Sequence, residues 1–122
     1  MDRVLFTHLE HGDDIIISLS CDEASAFGVD GFIIQRNARY EPFLSPNERG
    51  ASVEWEADDI IVLLDKVFIR RDELKIKTKG KVRNYHFDLT ALSDEEYKAL
   101  VKHFHLINFD GSIKIEVAGR KL

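Results

Sequence analysis

Residues 93–104 read Ser93-Asp94-Glu95-Glu96-Tyr97-Lys98-Ala99-Leu100-Val101-Lys102-His103-Phe104. Their reading decides the fold class, because apolar residues repeat here at helical spacing. Ser93 followed three positions later by Glu96 is a capping box: the hydroxyl accepts from the Glu96 amide, and the Glu96 carboxylate accepts from the Ser93 amide. Asp94 and Glu95 suit the positive end of the helix dipole. Tyr97, Leu100, Val101 and Phe104 fall at i, i+3, i+4 and i+7, one apolar stripe. The spacing predicts an amphipathic helix over about residues 93–107, ending near Asn108.

Outward from this helix the chain reads as strands. Tyr85, Phe87 and Leu89 share one face and Asn84, His86 and Asp88 the other, a period-two pattern within residues 81–89. Beyond the helix, Ile113, Ile115 and Val117 alternate with Lys114 and Glu116. Val67-Phe68-Ile69-Arg70 and Leu74-Lys75-Ile76-Lys77-Thr78 flank Arg71-Asp72-Glu73, which predicts a hairpin. Residues 60–64 form a separate apolar run, long enough for one buried strand and too short for a helix. Val53, Trp55 and Ala57 fall on one face of a further strand, Glu54 and Glu56 on the other. Strands at residues 4–9, 15–19 and 32–36 complete the set, the first ending at Gly12. Residues 22–31 are small and acidic and read as a loop; residues 37–50 hold both prolines and form the longest loop. Short connections favour antiparallel pairing. The expected fold is α+β: a mainly antiparallel β-sheet with one amphipathic helix packed on one face.

The chain has 122 residues, a length that fits one domain spanning 1–122. One cysteine, Cys21, excludes an internal disulfide and a four-cysteine zinc site, and suits a reducing compartment. No apolar run approaches the ~18 residues of a membrane span, and Asp2 and Arg3 open the chain without the apolar core of a leader. A net charge of −5 argues against a general polyanion binder.

The residues that could carry chemistry have plainer readings. His8, His11 and a neighbouring carboxylate would make a facial metal triad, but a strand sends residues three apart to opposite faces. His103 and His105 point apart on a helix, one of them bordering the core, and His86 falls on a polar strand face. Cys21 stands beside Asp22 and Glu23, which disfavour its thiolate. No nucleophile elbow or phosphate-cradling loop is present. Gly28-Val29-Asp30-Gly31 is only a G-x-x-G. The acidic pairs Asp13/Asp14, Asp22/Glu23 and Asp58/Asp59 read as solvated. The expectation is a non-enzyme with no metal and no cofactor.

Charge is unevenly distributed. Residues 1–30 carry seven acids and one base, whereas residues 66–83 carry eight bases and two acids. Arg71, Lys75, Lys77 and Lys79 offer a basic face that could meet phosphates. Nucleic-acid sheets interleave aromatics on such a face, and here Tyr85 and Phe87 point the other way. Lysine rows also keep edge strands from pairing, so nucleic acid is the less favoured partner. Glu54, Glu56, Asp58 and Asp59 form an acidic ridge flanked by the 37–50 loop, a surface that would steer a basic protein partner.

The order of segments resembles the immunity protein 10 family of bacterial polymorphic toxin systems. The resemblance covers about residues 29–108. It rests on Phe32-Ile33-Ile34-Gln35-Arg36, a loop, Val53-Glu54-Trp55-Glu56, the segment from Ile61 to Ile76, Tyr85-His86-Phe87-Asp88-Leu89, and then Ser93-Asp94-Glu95-Glu96-Tyr97. It implies a non-enzymatic cytoplasmic protein that binds and neutralises a cognate toxin, and it carries over no catalytic residues. The partner-binding residues expected are Glu54, Glu56, Asp58 and Asp59. The alternative is a small nucleic-acid-binding or regulatory module using the basic face of residues 70–83. An uncovered sheet edge would allow a homodimer, which nothing in the sequence demands.

Overall fold

A computed structural model describes residues 2–21, 31–45, 48–55, 61–81 and 84–118. Eight strands are formed among them: β1 (Asp2–His11), β2 (Asp14–Cys21), β3 (Gly31–Asn37), β4 (Ser52–Trp55), β5 (Ile61–Arg70), β6 (Glu73–Thr78), β7 (Asn84–Asp88) and β8 (Lys114–Val117). One helix, α1 (Asp94–Ile107), lies between β7 and β8. Neighbours in sequence pair antiparallel from β1 through β7. The ring closes where Asp2 and Arg3 pair parallel with Phe87 and Asp88. β8 then adds to β5 in parallel, beside residues 66–69. The fold is α+β, as the patterning predicts.

Two bulges make the closure geometrically feasible. In β1 the register shifts between Val4 and Phe6; in β5 it shifts between Leu64 and Lys66. A bulge inserts one unpaired residue, bends the strand and adds twist. Each falls where a strand changes partners. β1 leaves β7 for β2, and the free edge of β5 passes from β4 to β8. Each also breaks the in–out alternation. Val4 is buried while Leu5 and Phe6 both face out, and Leu64 is buried while Asp65 faces out before the half-buried Lys66. This corrects the expectation of two separate segments at residues 60–64 and 67–70: a single bulged strand, Ile61–Arg70, takes in 61–64 and 67–70. Lys81, expected in the next strand, instead belongs to a 3-10 turn at Lys79–Lys81, and β7 is described as Asn84–Asp88.

The inward residues form one core. Ile15, Ile17, Leu19 and Cys21 of β2 meet Phe32, Ile34, Val53, Val67, Ile69, Leu74, Ile76 and Phe87. Phe32 packs edge-on against both Tyr85 and Phe87, with ring centroids 4.9 Å apart in each case. The helix contributes Leu100, Phe104 and Ile107 as buried residues, with Tyr97 and Val101 packed beside them, and touches β1, β2 and β8. Both capping-box bonds form: the Glu96 amide donates to Ser93 Oγ at 3.1 Å, and the Ser93 amide donates to the Glu96 carboxylate at 2.9 Å. Arg71 fastens the approach to the helix, donating to the carbonyl of Leu92 at 2.6 Å and to Asp94 at 2.8 Å.

Beneath the 37–50 loop lies a fully buried cation. The Arg36 side chain is 0% exposed. Its Nε and one terminal nitrogen donate to the two carboxylate oxygens of Glu41, at 2.6 and 3.0 Å. The terminal nitrogens also donate to both oxygens of Asp110, at 2.8 and 3.2 Å, and to the carbonyl of Ile107 at 3.0 Å. All five guanidinium N–H groups are therefore used. Phe109 stacks at 4.0 Å from the guanidinium carbon. Burial works against the charge, but the bonds to Glu41 and Asp110 outweigh it and raise the Arg36 pKa. Asp110 is pushed far below the ordinary carboxylate range, first by the Arg36 bond and against burial, with Ser112 adding amide and hydroxyl donors.

Two outcomes follow. Arg36→Met leaves Glu41 buried without its partner and costs about 3 to 5 kcal/mol in denaturant unfolding, the range for a broken buried pair; a loss below about 1 kcal/mol would refute the node's structural role. Asp110 binds its proton more weakly folded than unfolded, so its contribution is present above the unfolded value of 3.8 and is lost as pH falls below it. Asp110→Asn lowers the melting temperature near neutral pH and removes part of the wild-type decline between about pH 4 and pH 2.

Candidate functional site

Closing the ring leaves two outer faces of different chemistry. The first belongs to β1–β4. Register places His8, Ser18, Ile33 and Glu54 in one cross-strand row, and Glu10, Ile16, Gln35, Ser52 and Leu63 in the next. Residues directly opposite in a ladder point the same way, so both rows look outward. The face is mostly small, hydroxylated or apolar. Its charged members are Glu10 and Glu54, with Asp14 at the margin and the exposed His8 bonded to Glu10 at 2.8 Å.

The 37–50 loop stands over one end of this face. It contains a 3-10 turn at Glu41–Phe43, which has Pro42 in its first turn. Arg36 anchors it through Glu41, whose carboxylate also accepts from the Gly50 amide at 3.3 Å. Arg49 donates to the carbonyl of Leu44 at 3.1 Å. Ser45 donates through both amide and hydroxyl to Glu48, which lowers the Glu48 pKa. A loop fastened this way would be expected to fold its apolar residues beneath it, yet Tyr40 is 58% exposed, Phe43 83% and Leu44 40%. Tyr40 and Leu44 wall a shallow depression of about 260 Å³ floored by Gln35, Ser52 and Leu63, with Asp14 and Glu48 on its rim.

The second outer face belongs to β5–β8. Lys66 lies directly opposite Lys77 of β6 and Lys114 of β8, and Lys77 lies opposite Asn84 of β7. Lys75, Phe68, Glu116 and His86 form the next row. An open cleft of about 410 Å³ runs along the first row.

Of the acidic residues singled out in the sequence, Glu54 is half-buried on the β1–β4 face; Glu56, Asp58 and Asp59 lie outside the described residues. Of the basic residues, Lys75 and Lys77 are exposed together on β6, and Lys79 is exposed in the following turn. Arg71 does not join them, being committed to the approach to α1. β6 is an interior strand between β5 and β7, so edge protection does not account for its lysines. Sequence reasoning missed Lys66 and Lys114. The alternation around Val67 and Ile115 marks each as outward, but only the parallel β5–β8 pairing aligns them.

The histidines do not converge on a metal. His8 and His11 face opposite ways. The half-buried His103 reaches the Glu10 carbonyl at 3.2 Å, with the His11 ring edge-on to it at 6.4 Å. Among the described residues no group of three His, Cys, Asp or Glu side chains is placed to hold a metal, and no helix is long and apolar enough to cross a membrane. The chain matches no family model, no curated protein and no solved structure.

Like charges directly opposite on adjacent strands destabilise a sheet by a few tenths to about 1 kcal/mol per pair. Lys66→Gln, which relieves two such pairs, raises stability by about that amount in denaturant titrations at low salt, and the gain shrinks as salt is added.

Proposed function

We propose that this chain is a non-enzymatic binding protein of the immunity type, cytoplasmic, which docks on a cognate protein toxin through the outer face of β1–β4 and the 37–50 loop. The observation that carries the reading is the exposed Tyr40, Phe43 and Leu44 on a loop held from beneath by Arg36, Glu41 and Arg49. Exposed aromatic anchors on an ordered segment suit the centre of a protein interface. Such a loop gives up little conformational freedom on binding, so more of its contact energy appears as affinity.

The surroundings fit a cationic partner. Glu54, Glu10, Asp14 and Glu48 rim the face, while Arg36 is neutralised in the interior and Arg39 is paired with Asp13. An acidic rim around apolar anchors steers a basic surface into register and raises its association rate. The depression is too shallow to bury a small molecule, which weighs towards a flat macromolecular contact.

Affinity capture from nuclease-treated lysate of the native host is expected to recover one stoichiometric protein with a toxin-like domain, and co-expression of the chain is expected to protect cells from it. Phe43→Ala with Tyr40→Ala weakens that complex by about thirtyfold or more, the effect of losing an anchor worth about 2 kcal/mol. Glu54→Lys slows association at low salt, and both variants melt close to wild type. Unaltered protection by the double aromatic variant would overturn the assignment of the surface.

A further inference from the structure

We infer that the cleft on the opposite face, between β5, β6 and β8, is a binding site for a compact, multiply charged phosphate. Lys77, Lys66 and Lys114 stand side by side on three adjacent strands, and Asn84 extends the row as a neutral hydrogen-bond donor. All four side chains line the same cleft of about 410 Å³, together with Asp65 and Thr78. The bulge at Asp65 shapes it, because the bend there brings β8 onto β5 immediately after β4 departs.

Lys66, Lys77 and Lys114 make no ion pair among the described residues. Elsewhere on this face Arg70 pairs with Asp72 at 3.1 Å, and Glu73 with His86 at 3.2 Å. Asp65 and Glu116 border the region, yet neither makes an ion pair with Lys66, Lys77 or Lys114 among the described residues. Three ammonium groups in one register, against the two carboxylates of Asp65 and Glu116, raise the local potential and leave donors directed at solvent. Lys66 and Lys77 lie on interior strands, where protection of a sheet edge gives no reason for them. An external anion with several oxygens satisfies all three at once.

The shape of the face favours a compact ligand over a nucleic-acid strand. Strand-binding sheets offer exposed aromatics on which bases stack. Here the aromatic on this face is the half-buried Phe68, already under the Lys75 ammonium at 5.9 Å. A di- or triphosphate group, free or heading a larger organic molecule, matches the cluster of charge without needing a stacking platform.

Calorimetric titration of the full chain with inorganic tripolyphosphate at low salt tests this, with a single-stranded oligonucleotide and anionic vesicles as separate arms. Saturable one-to-one binding is expected, with a rise in melting temperature by linkage. Lys66→Gln, Lys77→Gln and Lys114→Gln are each expected to raise Kd about tenfold, the loss of one charge-assisted contact. The control Lys98→Gln with Lys102→Gln, on the exposed side of α1, removes one charge more than any single variant yet leaves Kd within about twofold of wild type. An absence of saturable binding overturns the inference. So does an equal loss in the control, which would mean attraction by net charge alone. Oligonucleotide or vesicle binding that exceeds tripolyphosphate binding and depends on Lys75 and Lys79 replaces the cleft with an extended polyanion face.

Discussion

A guanidinium cannot shed its proton in a protein, so a fully buried Arg36 imposes a condition on everything around it. Its five N–H groups must find acceptors because the side chain is shut off from solvent, and its charge needs an anionic partner, a role that Glu41 and Asp110 share. The acceptors come from places far apart in the chain. Glu41 arrives from the 3-10 turn five residues on; Asp110 and the Ile107 carbonyl arrive from the end of the helix, more than seventy residues on. Satisfying this one cation therefore draws the long loop and the helix terminus onto β3 together. The same demand explains why Tyr40 and Phe43 are left outside. The turn is oriented by its carboxylate, and the aromatic neighbours of Glu41 take what directions remain.

The ring has a comparable logic. Seven strands paired in chain order would make an open twisted sheet unless two of them bent sharply. Val4-Leu5-Phe6 and Leu64-Asp65-Lys66 provide the bends, each at the cost of one unpaired residue and a disturbed alternation. With the core enclosed, every outward position belongs to one of two faces. One collects Glu10, Glu54 and small polar side chains; the other collects Lys66, Lys75, Lys77 and Lys114. The charge asymmetry between the early and middle parts of the chain becomes a spatial polarity.

What could be read in the sequence was what short-range physics determines. The capping box at Ser93 and Glu96, the stripe through Leu100 and Phe104, and the hairpin at Arg71-Asp72 depend on neighbours within a few positions. The structure has all of them. The break at Asp65-Lys66 was visible as an interruption, but a gap between strands and a bulge within one look alike until the partners on both sides are known. Both parallel pairings were hidden for the same reason, since nothing local in Asp2-Arg3 or in Ile115-Glu116 specifies Phe87 or Phe68 as partners. The candidate sites divide likewise. Alternation put Lys75 and Lys77 on one face, whereas their alignment with Lys66 and Lys114 exists only once β8 has crossed to β5. Arg71 looked like part of a cationic row from its place in the chain. Its reach towards the Leu92 carbonyl and Asp94 is a tertiary fact.

The closure between β1 and β7 has a temporal consequence. Strands β1 to β7 can zip pair by pair as each emerges from the ribosome, because each meets the one made just before it. The last seam joins Asp2 and Arg3 to Phe87 and Asp88, about 85 positions later. Contacts of such wide separation form late, since the chain must lose loop entropy before they repay it. Until then the first strand has an open edge beside the outward Leu5 and Phe6. The backbone edge at Asp2 and Arg3 stays unpaired until β7 has been made, a window in which a chaperone that recognises extended strands would find its substrate.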